Sequence, residues 1–142
     1  MGSYERTIAV AAPPDRVWAV LEDVEAWPAS TPSMSSVRRT VDGGLRVGER
    51  IRVRQPRLPP AVWTVTRVEP GRSFTWTSRA PGLHSVGDHE IRPGTDGCTL
   101  VLRFAQTGPL AGPAWRLMVR TVRRYVDLEA EGLKRRAESS VS

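Results

Sequence analysis

Several features that are common in proteins of this size are rare or missing in this chain of 142 residues. It has one cysteine, Cys98, which excludes an internal disulfide and is typical of a reducing cytoplasm. No apolar run approaches the ~20 residues that a membrane-spanning helix needs. The chain also does not open with the charged and then apolar segments of a secretion signal. We therefore expect a cytoplasmic protein without a membrane span.

Lysine is almost absent, since Lys134 is the only lysine among 21 basic residues, although the formal net charge is +6. Arginine together with abundant Ala, Gly, Pro and Val is typical of a GC-rich bacterial genome rather than of a polyanion-binding surface. The densest stretch, residues 116–124, has the spacing of a solvated helix face and lacks the interleaved aromatics that stack on bases. We expect no nucleic-acid partner, because an anion-binding surface would need denser arginine clustering.

Sequence motifs of covalent and cofactor-dependent catalysis are also missing. The segment "GLHSVG" is not a Gly-x-Ser-x-Gly nucleophile elbow, and the chain has no phosphate-binding loop, dinucleotide fingerprint or Cys-x-x-Cys pair. Cys98 opens a predicted strand without a clear basic activator. We expect no cofactor and no metal.

The first part of the chain predicts a strand followed by a short helix. Apolar residues of one parity indicate the strand: Tyr4, Ile8 and Val10. Pro13 and Pro14 end it, and proline is tolerated in a first helical turn. The helix is indicated by apolar residues at i, i+3, i+4 and i+7: Val17, Val20, Leu21 and Val24. The polar segment "ASTPSMSS" then predicts a turn or one more short helix.

From there to Thr107 the hydrophobic period is two, which predicts about six strands of an antiparallel meander. The segment "LRVGERIRVR" alternates apolar residues with arginines, and residues 42–44 precede it as a predicted hairpin turn. The other predicted strands are "AVWTVTRV", "SFTWTSR", "LHSVGDHEIR" and "CTLVLRFAQT".

The last segment, from Ala114 to about Ala137, returns to a helical period. Its apolar stripe contains Trp115, Met118, Val119, Val122, Val126 and Leu133. An antiparallel sheet with one apolar face needs a cover, and this helix is the only large element available. A curved sheet gripping one helix leaves a space between them, so we expect a cavity.

This order of elements resembles the polyketide cyclase/dehydrase-like branch of the START and Bet v 1-like (SRPBCC) superfamily. The resemblance rests on "TIAVAAPPDRVWAVLEDVEAWPAS", "VGERIRVRQP", "VWTVTRVEPGRSFTWTSRAPGLHSVGDHEI" and "LEAEGLKRRAE". It implies one α+β helix-grip domain over residues 1–142: a curved antiparallel sheet of about seven strands on a long C-terminal helix, with a short helix pair after strand one. It also implies a deep, mostly apolar pocket.

The two histidines, His84 and His89, are five residues apart, so on a regular strand they point to opposite faces. His89 shares its parity with the more apolar set and is the inward residue; His84 shares its parity with Asp88 and Glu90. A two-histidine metal site would need a bulge at Gly87. His89 is either a general acid–base or ligand-binding group, or a buried histidine bonded to a neighbour.

Glu129 lies within the apolar stripe of the last helix, where an ionised carboxylate is costly unless it is paired or protonated. It could polarise His89 or bind a ligand hydroxyl, or it could pair with Arg136 or a sheet arginine. If the protein is an enzyme, we expect His89 with Glu129 or Tyr125 to move protons.

Ligand contacts are expected mainly from apolar and aromatic side chains facing the cavity. We predict that the wall includes Trp76, Trp115, Met118, Val122 and Val126. The family resemblance implies a pocket mouth near the loop "RAPG", which places Arg79 at the entrance.

The predicted partner is a small hydrophobic molecule, polyketide-like or lipid-like, bound by a monomer or homodimer. One hypothesis is a cofactor-free cyclase or dehydratase that folds a reactive chain. The other is a non-catalytic carrier or sensor. A cyclase needs a well-placed acid–base pair, whereas a carrier needs few convergent ionisable groups.

Overall fold

A computed structural model describes residues 2–139, in which one strand, two short helices, six strands and a long helix follow in order. The chain begins with β1 (Gly2–Val10), α1 (Pro14–Glu22), a 3-10 turn (Val24–Ala26) and α2 (Trp27–Ser30). The meander consists of β2 (Ser36–Arg38), β3 (Arg50–Arg54), β4 (Ala61–Glu69), β5 (Ser73–Ala80), β6 (Leu83–Gly94) and β7 (Gly97–Thr107). The long helix is α3 (Ala111–Ser139).

The seven strands form one antiparallel sheet in the order β1-β7-β6-β5-β4-β3-β2. Each strand from β2 to β6 pairs with the next strand in the chain. Strand β1 pairs with the outer edge of β7, with Gly2 opposite Gln106 and Val10 opposite Cys98. Cys98 is buried there, and burial raises the pKa of its thiol. The predicted curved sheet on a C-terminal helix is confirmed.

Helix α3 packs against β1, β7, α1 and α2. It begins at Ala111 rather than at the predicted Ala114, because the carbonyl oxygens of Gly108 and Leu110 accept hydrogen bonds from the amides of its first turn. With 29 residues it is about 43 Å long. No helix within residues 2–139 combines the length and hydrophobicity needed to cross a bilayer.

The predicted strand through Leu45 and Val47 is wrong, because β3 begins only at Arg50. Val47 is 64% exposed. Gly48 adopts a φ of +93°, which glycine tolerates and which breaks the extended backbone before Glu49. The local alternation of apolar and polar residues therefore imitates a strand in a segment that bends away from the sheet.

The predicted hairpin turn at residues 42–44 is also corrected, because these residues lie inside a longer loop from 39 to 49. The loop joins β3 to β2, the short strand that the predicted hairpin implied without giving its bounds. At its base the guanidinium of Arg39 donates to the carboxylate of Glu49, with 2.9 Å between Nη2 and Oε1. Both side chains are almost fully buried, so this ion pair holds the loop ends together.

Candidate functional site

A cavity of about 760 Å³ lies between the inner face of the sheet and α3. The helix contributes Met118, Val122, Tyr125, Val126 and Glu129 to its lining. The loop from Gln55 to Pro60 and the end of β5 border it as well. The elements thus place side chains from α3 opposite side chains from β4 to β7, as a helix gripped by a curved sheet requires.

The sheet side of the cavity is aromatic. Trp63 on β4 lies 5.5 Å from Trp76 on β5 and 6.4 Å from Phe104 on β7, measured between ring centroids. Gly87 lies between β5 and β7 at this level, opposite both Trp76 and Phe104. A Cβ on Gly87 would lie 2.7 Å from Nε1 of Trp76, so the glycine makes room for the indole. The result is an apolar wall of mutually inclined aromatic rings, suited to aromatic or aliphatic ligands.

His89 faces the cavity side of the sheet and is 4% exposed. Its ring stacks on Phe74 with 4.2 Å between centroids, and Trp27 and Trp76 lie 5.5 Å from it. The register through Gly87 is continuous on both sides of β6, so no bulge turns the two histidines towards each other. Among the described strands, the irregularity in pairing lies on β4, between Val65 and Arg67.

The charge state of His89 follows from its surroundings. Burial lowers the pKa of His89 to about 4, although the Phe74 carbonyl and Asp88 act in the opposite direction. Nδ1 lies 3.3 Å from the Phe74 carbonyl oxygen and therefore carries the proton that it donates. The ring is neutral at physiological pH, and Nε2 keeps its lone pair. This nitrogen makes no hydrogen bond with any residue in the range 2–139.

The charged residues of "GLHSVGDHEIRP" and His84 have the opposite parity to His89 and belong to the outer face of the sheet. The guanidinium of Arg103 donates to Asp88 and Glu90 through Nη1, at 2.9 and 3.0 Å, and to Glu5 through Nε at 2.8 Å. His84 is half-buried and its Nε2 has no partner within residues 2–139. Over the same residues no group of three or more potential metal ligands comes together. The histidine-rich segment is thus one strand with a different environment on each face.

Glu129 is the carboxyl group on the cavity wall and is 9% exposed. Burial raises its pKa to about 8, so the carboxyl group is mostly protonated at neutral pH. It makes no hydrogen bond or ion pair with the described residues. Arg136, the partner considered from the sequence, bonds instead to Asp23, the residue that follows α1, at 2.6 Å. A neutral carboxylic acid facing a cavity can both donate and accept a hydrogen bond.

A polar pair that the sequence reasoning missed, Ser85 and Gln106, lies on neighbouring strands of the cavity wall. Gln106 on β7 is 1% exposed and its Nε2 is 3.5 Å from Oγ of Ser85 on β6. A signal was available: Gln106 continues the inward parity of Leu100, Leu102 and Phe104, where an amide is unexpected.

Tyr125 and Arg79 line the cavity from α3 and from the end of β5, respectively. The hydroxyl group of Tyr125 donates to the carbonyl oxygen of Pro56, which ties α3 to the loop between β3 and β4. Arg79 is exposed at the end of β5 and borders the cavity there. The phenol proton of Tyr125 is therefore engaged by the backbone, whereas Arg79 is open to solvent.

Trp115 is the one predicted cavity residue that the structure places elsewhere. Its ring stacks on Phe104 at 6.3 Å and fills the space above Gly2, where a Cβ would lie 2.1 Å from the indole. It seals the junction of α3 and β1 instead of lining the cavity. Trp63 lines the cavity in its place.

Comparison with known proteins agrees with this architecture. The family model described as "Polyketide cyclase / dehydrase and lipid transport" matches residues 1–138. No curated protein matches the chain in sequence.

Solved structures of low sequence identity share the fold. The ZhuI aromatase/cyclase from Streptomyces sp. R1128 is 24% identical with a TM-score of 0.78, over 99% of this chain and 96% of that one. TTHA0849 from Thermus thermophilus is 20% identical with a TM-score of 0.77, over 99% of this chain and 100% of that one. BexL, a di-domain ARO/CYC from the BE-7585A biosynthetic pathway, is 23% identical with a TM-score of 0.72, over 97% of this chain and 47% of that one. With its helix-grip fold and its match along almost the whole sequence, the chain belongs to the polyketide cyclase/dehydrase and lipid-transport family of the SRPBCC superfamily.

Proposed function

We propose that the protein binds a small, neutral, hydrophobic molecule, polyketide-like or lipid-like, in the cavity between the sheet and α3. The observation that carries the proposal is an apolar and aromatic cavity of about 760 Å³ in which the buried His89 and Glu129 are both mostly neutral near pH 7. A cavity of this size is within the range of small-molecule sites. The ARO/CYC names of two structural neighbours favour a polyketide-like ligand.

We propose further that the cavity supports cofactor-free cyclisation or dehydration. Nε2 of His89 is an acceptor for a proton from the carbon next to a ligand carbonyl, and the protonated Glu129 is a donor to a hydroxyl group that leaves as water. The resulting imidazolium and carboxylate return to their starting states when the proton passes back from His89 to Glu129. A neutral base and a neutral acid facing one cavity are suited to this exchange.

The alternative is a non-catalytic carrier or sensor that uses the same cavity. It is favoured by the environment of His89, since stacking on Phe74 and contacts with two tryptophans hold the ring as part of the core. In a carrier, His89 and Glu129 would only bond the ligand.

Native mass spectrometry of the freshly purified protein tests the binding proposal, because a retained small molecule would appear as added mass. Titration with fatty acids and aromatic polyketides, followed by tryptophan emission and melting temperature, extends the test. Absence of any retained mass together with no response to saturating ligand would contradict it.

A pair of histidine variants tests whether His89, and not His84, bonds the ligand. His89→Ala should weaken the affinity for a bound ligand about ten-fold or more if Nε2 bonds the ligand, because a lost hydrogen bond costs roughly 1–3 kcal/mol. His84→Ala, on the outer face, is the matched control and should leave the affinity nearly unchanged. If the parent protein turns over the recovered ligand, and Glu129→Gln still binds the ligand but no longer turns it over, the enzyme hypothesis is favoured. If the parent protein shows no turnover, the carrier hypothesis is favoured. Equal loss of affinity in both histidine variants would contradict the assigned role of His89.

A further inference from the structure

The polar pair formed by Ser85 and Gln106 has hydrogen-bonding capacity that the described residues leave unfilled. The side chain of Gln106 is 1% exposed and borders the cavity. Its Nε2 reaches Oγ of Ser85 at 3.5 Å, the long limit of a hydrogen bond, while its Oε1 is buried without a partner within residues 2–139. A buried amide oxygen without a hydrogen-bond donor lowers stability. Because Gln106 borders the cavity, its position points to a ligand group that donates the missing hydrogen bond.

The Ser85–Gln106 pair lies apart from the two ionisable groups. Ser85 precedes His89 by four residues on β6 and shares its inward face, which corresponds to about 13 Å along the strand. The aromatic wall of Trp63, Trp76 and Phe104 lies alongside the intervening Gly87. The pair is therefore a separate polar subsite at the β5–β6 turn end of the cavity, reached across an apolar surface.

The charges around the cavity limit what this subsite can bind. The arginines that border the cavity are Arg50, Arg79 and Arg103, and each is exposed or half-buried. Arg103 already bonds three carboxylates on the outer face. No buried lining residue in the described chain is a lysine or arginine, and Arg79, at this end of β5, is exposed, so a carboxylate buried beside Gln106 would have no buried counter-charge.

We infer that the cavity recognises its ligand through a hydroxyl group held between Gln106 and Ser85, and that it selects neutral hydroxylated molecules over carboxylates of the same size. A hydroxyl group donates to Oε1 of Gln106 and accepts from the hydroxyl group of Ser85, so one ligand atom bonds both side chains. A hydroxyl group also satisfies the amide in either orientation. This inference rests on the proposed binding function and names the ligand class for it.

Three naphthalene probes of matched shape test the selectivity: 2-naphthol, 2-methylnaphthalene and 2-naphthoate. We expect the parent protein to bind 2-naphthol about ten-fold more tightly than 2-methylnaphthalene, because the hydroxyl group gains the Gln106 and Ser85 bonds. We expect 2-naphthoate to bind most weakly at pH 7. Tryptophan quenching and calorimetry measure the three dissociation constants.

Substitution of Gln106 assigns the preference to the subsite. In Gln106→Leu the dissociation constants of 2-naphthol and 2-methylnaphthalene should become about equal. The affinity for 2-methylnaphthalene itself should be kept. Thr107→Val is the matched control, because Thr107 is the next residue on β7, is exposed and lies outside the cavity lining; it should keep the ratio. If Gln106→Leu does not fold, as judged by circular dichroism, Gln106→Met preserves the side-chain length and replaces it.

The outcomes separate this inference from the function on which it rests. Binding of both neutral probes with equal affinity, or a ratio unchanged in the Gln106 variant, would overturn the hydroxyl subsite and leave the binding function intact. Tight binding of 2-naphthoate would overturn the selection against carboxylates. Failure of all three probes to bind would count against the proposed function itself.

Discussion

At the scale of single residues, burial determines the chemistry of this cavity because it removes charge from both ionisable groups. His89 is kept neutral by desolvation, which lowers its pKa to about 4, and Glu129 is kept protonated by desolvation, which raises its pKa to about 8. The two shifts act in opposite directions because one group is charged when protonated and the other when deprotonated. Between these values both groups are mostly neutral, and the interior matches an uncharged ligand.

The raised pKa of Glu129 predicts a pH dependence of stability. Because the folded-state pKa lies above the unfolded value of about 4.5, the folded protein binds the extra proton between pH 4.5 and about 8. The contribution of Glu129 to stability is therefore lost as the pH rises through this window, whereas His89, whose lowered pKa acts with the opposite sign, contributes equally to the parent and to a Glu129 variant. The side chain of Glu129→Gln stays neutral at every pH. The free energy of unfolding of this variant, measured by urea denaturation, should equal that of the parent near pH 4.5 and exceed it by a few kcal/mol at pH 8.

The matched control for this prediction is Glu138→Gln on the same helix. The amide of Ala11 and the ammonium of Lys134 donate hydrogen bonds to the Glu138 carboxylate and lower its pKa. The pKa shift of Glu138 is therefore opposite in sign to that of Glu129. The folded state favours the charged form of Glu138, and its removal should decrease stability at neutral pH. A Glu129→Gln variant with the same pH profile as the parent would show that the Glu129 carboxyl group is hydrated in the folded protein.

At the scale of elements, the close contact between α3 and α2 sets the position of the helix over the sheet. Gly132 is buried on α3, and a Cβ there would lie 2.3 Å from the carbonyl oxygen of Ser30 and 3.2 Å from Cβ of Thr31. The guanidinium of Arg135 donates to the same carbonyl oxygen at 3.1 Å. The glycine therefore lets two backbones approach, and this brings Glu129, one turn earlier, to the cavity.

Gly132→Ala should therefore destabilise the protein, although alanine normally favours a helix by about 1 kcal/mol. We expect a loss of about 1–3 kcal/mol from overpacking against the α2 backbone. Gly112→Ala is the control, since nothing lies within 4 Å of an added Cβ there, and its effect should stay within about 0.5 kcal/mol. Thermal unfolding followed by circular dichroism measures both variants. A stabilised Gly132→Ala variant would contradict the contact.

At the scale of the whole molecule, the sheet, the short helices and α3 share one hydrophobic core. Its members come from every layer, for example Val10 on β1, Leu21 on α1, Ile91 on β6 and Leu133 on α3. Elements that bury the same core lose their support together when any one of them detaches.

We therefore predict that residues 1–142 unfold as a single domain in one cooperative transition. Far-ultraviolet circular dichroism, which reports helix and strand, and tryptophan emission, which reports the core, should give the same midpoint in urea. Ligand bound in the cavity should raise both midpoints together, because it binds only the folded state. Two separated transitions would mean that α3 or the β2–β3 edge unfolds independently.

The local periodicities of the sequence were sufficient for the architecture. The period of two, the period of 3.6 and the turn residues predicted the meander and the long helix, and the parity of β6 predicted that His89 and His84 lie on opposite faces. These properties depend only on neighbours in the chain, which is why they can be predicted without coordinates. The functional roles of His89, Glu129 and Tyr125 stay predictions.

Tertiary structure decided the features that depend on residues far apart in sequence. The pairing of Ser85 with Gln106, the pairing of Arg136 with Asp23 instead of Glu129, and the packing of Trp115 against Phe104 each join different elements. Periodicity assigns a residue to a face but not to a position along that face, so it could not distinguish Trp63 in the cavity from Trp115 at its seal. The strand predicted from Leu45 was wrong because Gly48 and the buried Arg39–Glu49 ion pair turn the backbone. The alternation of apolar and polar residues contains no information on either feature.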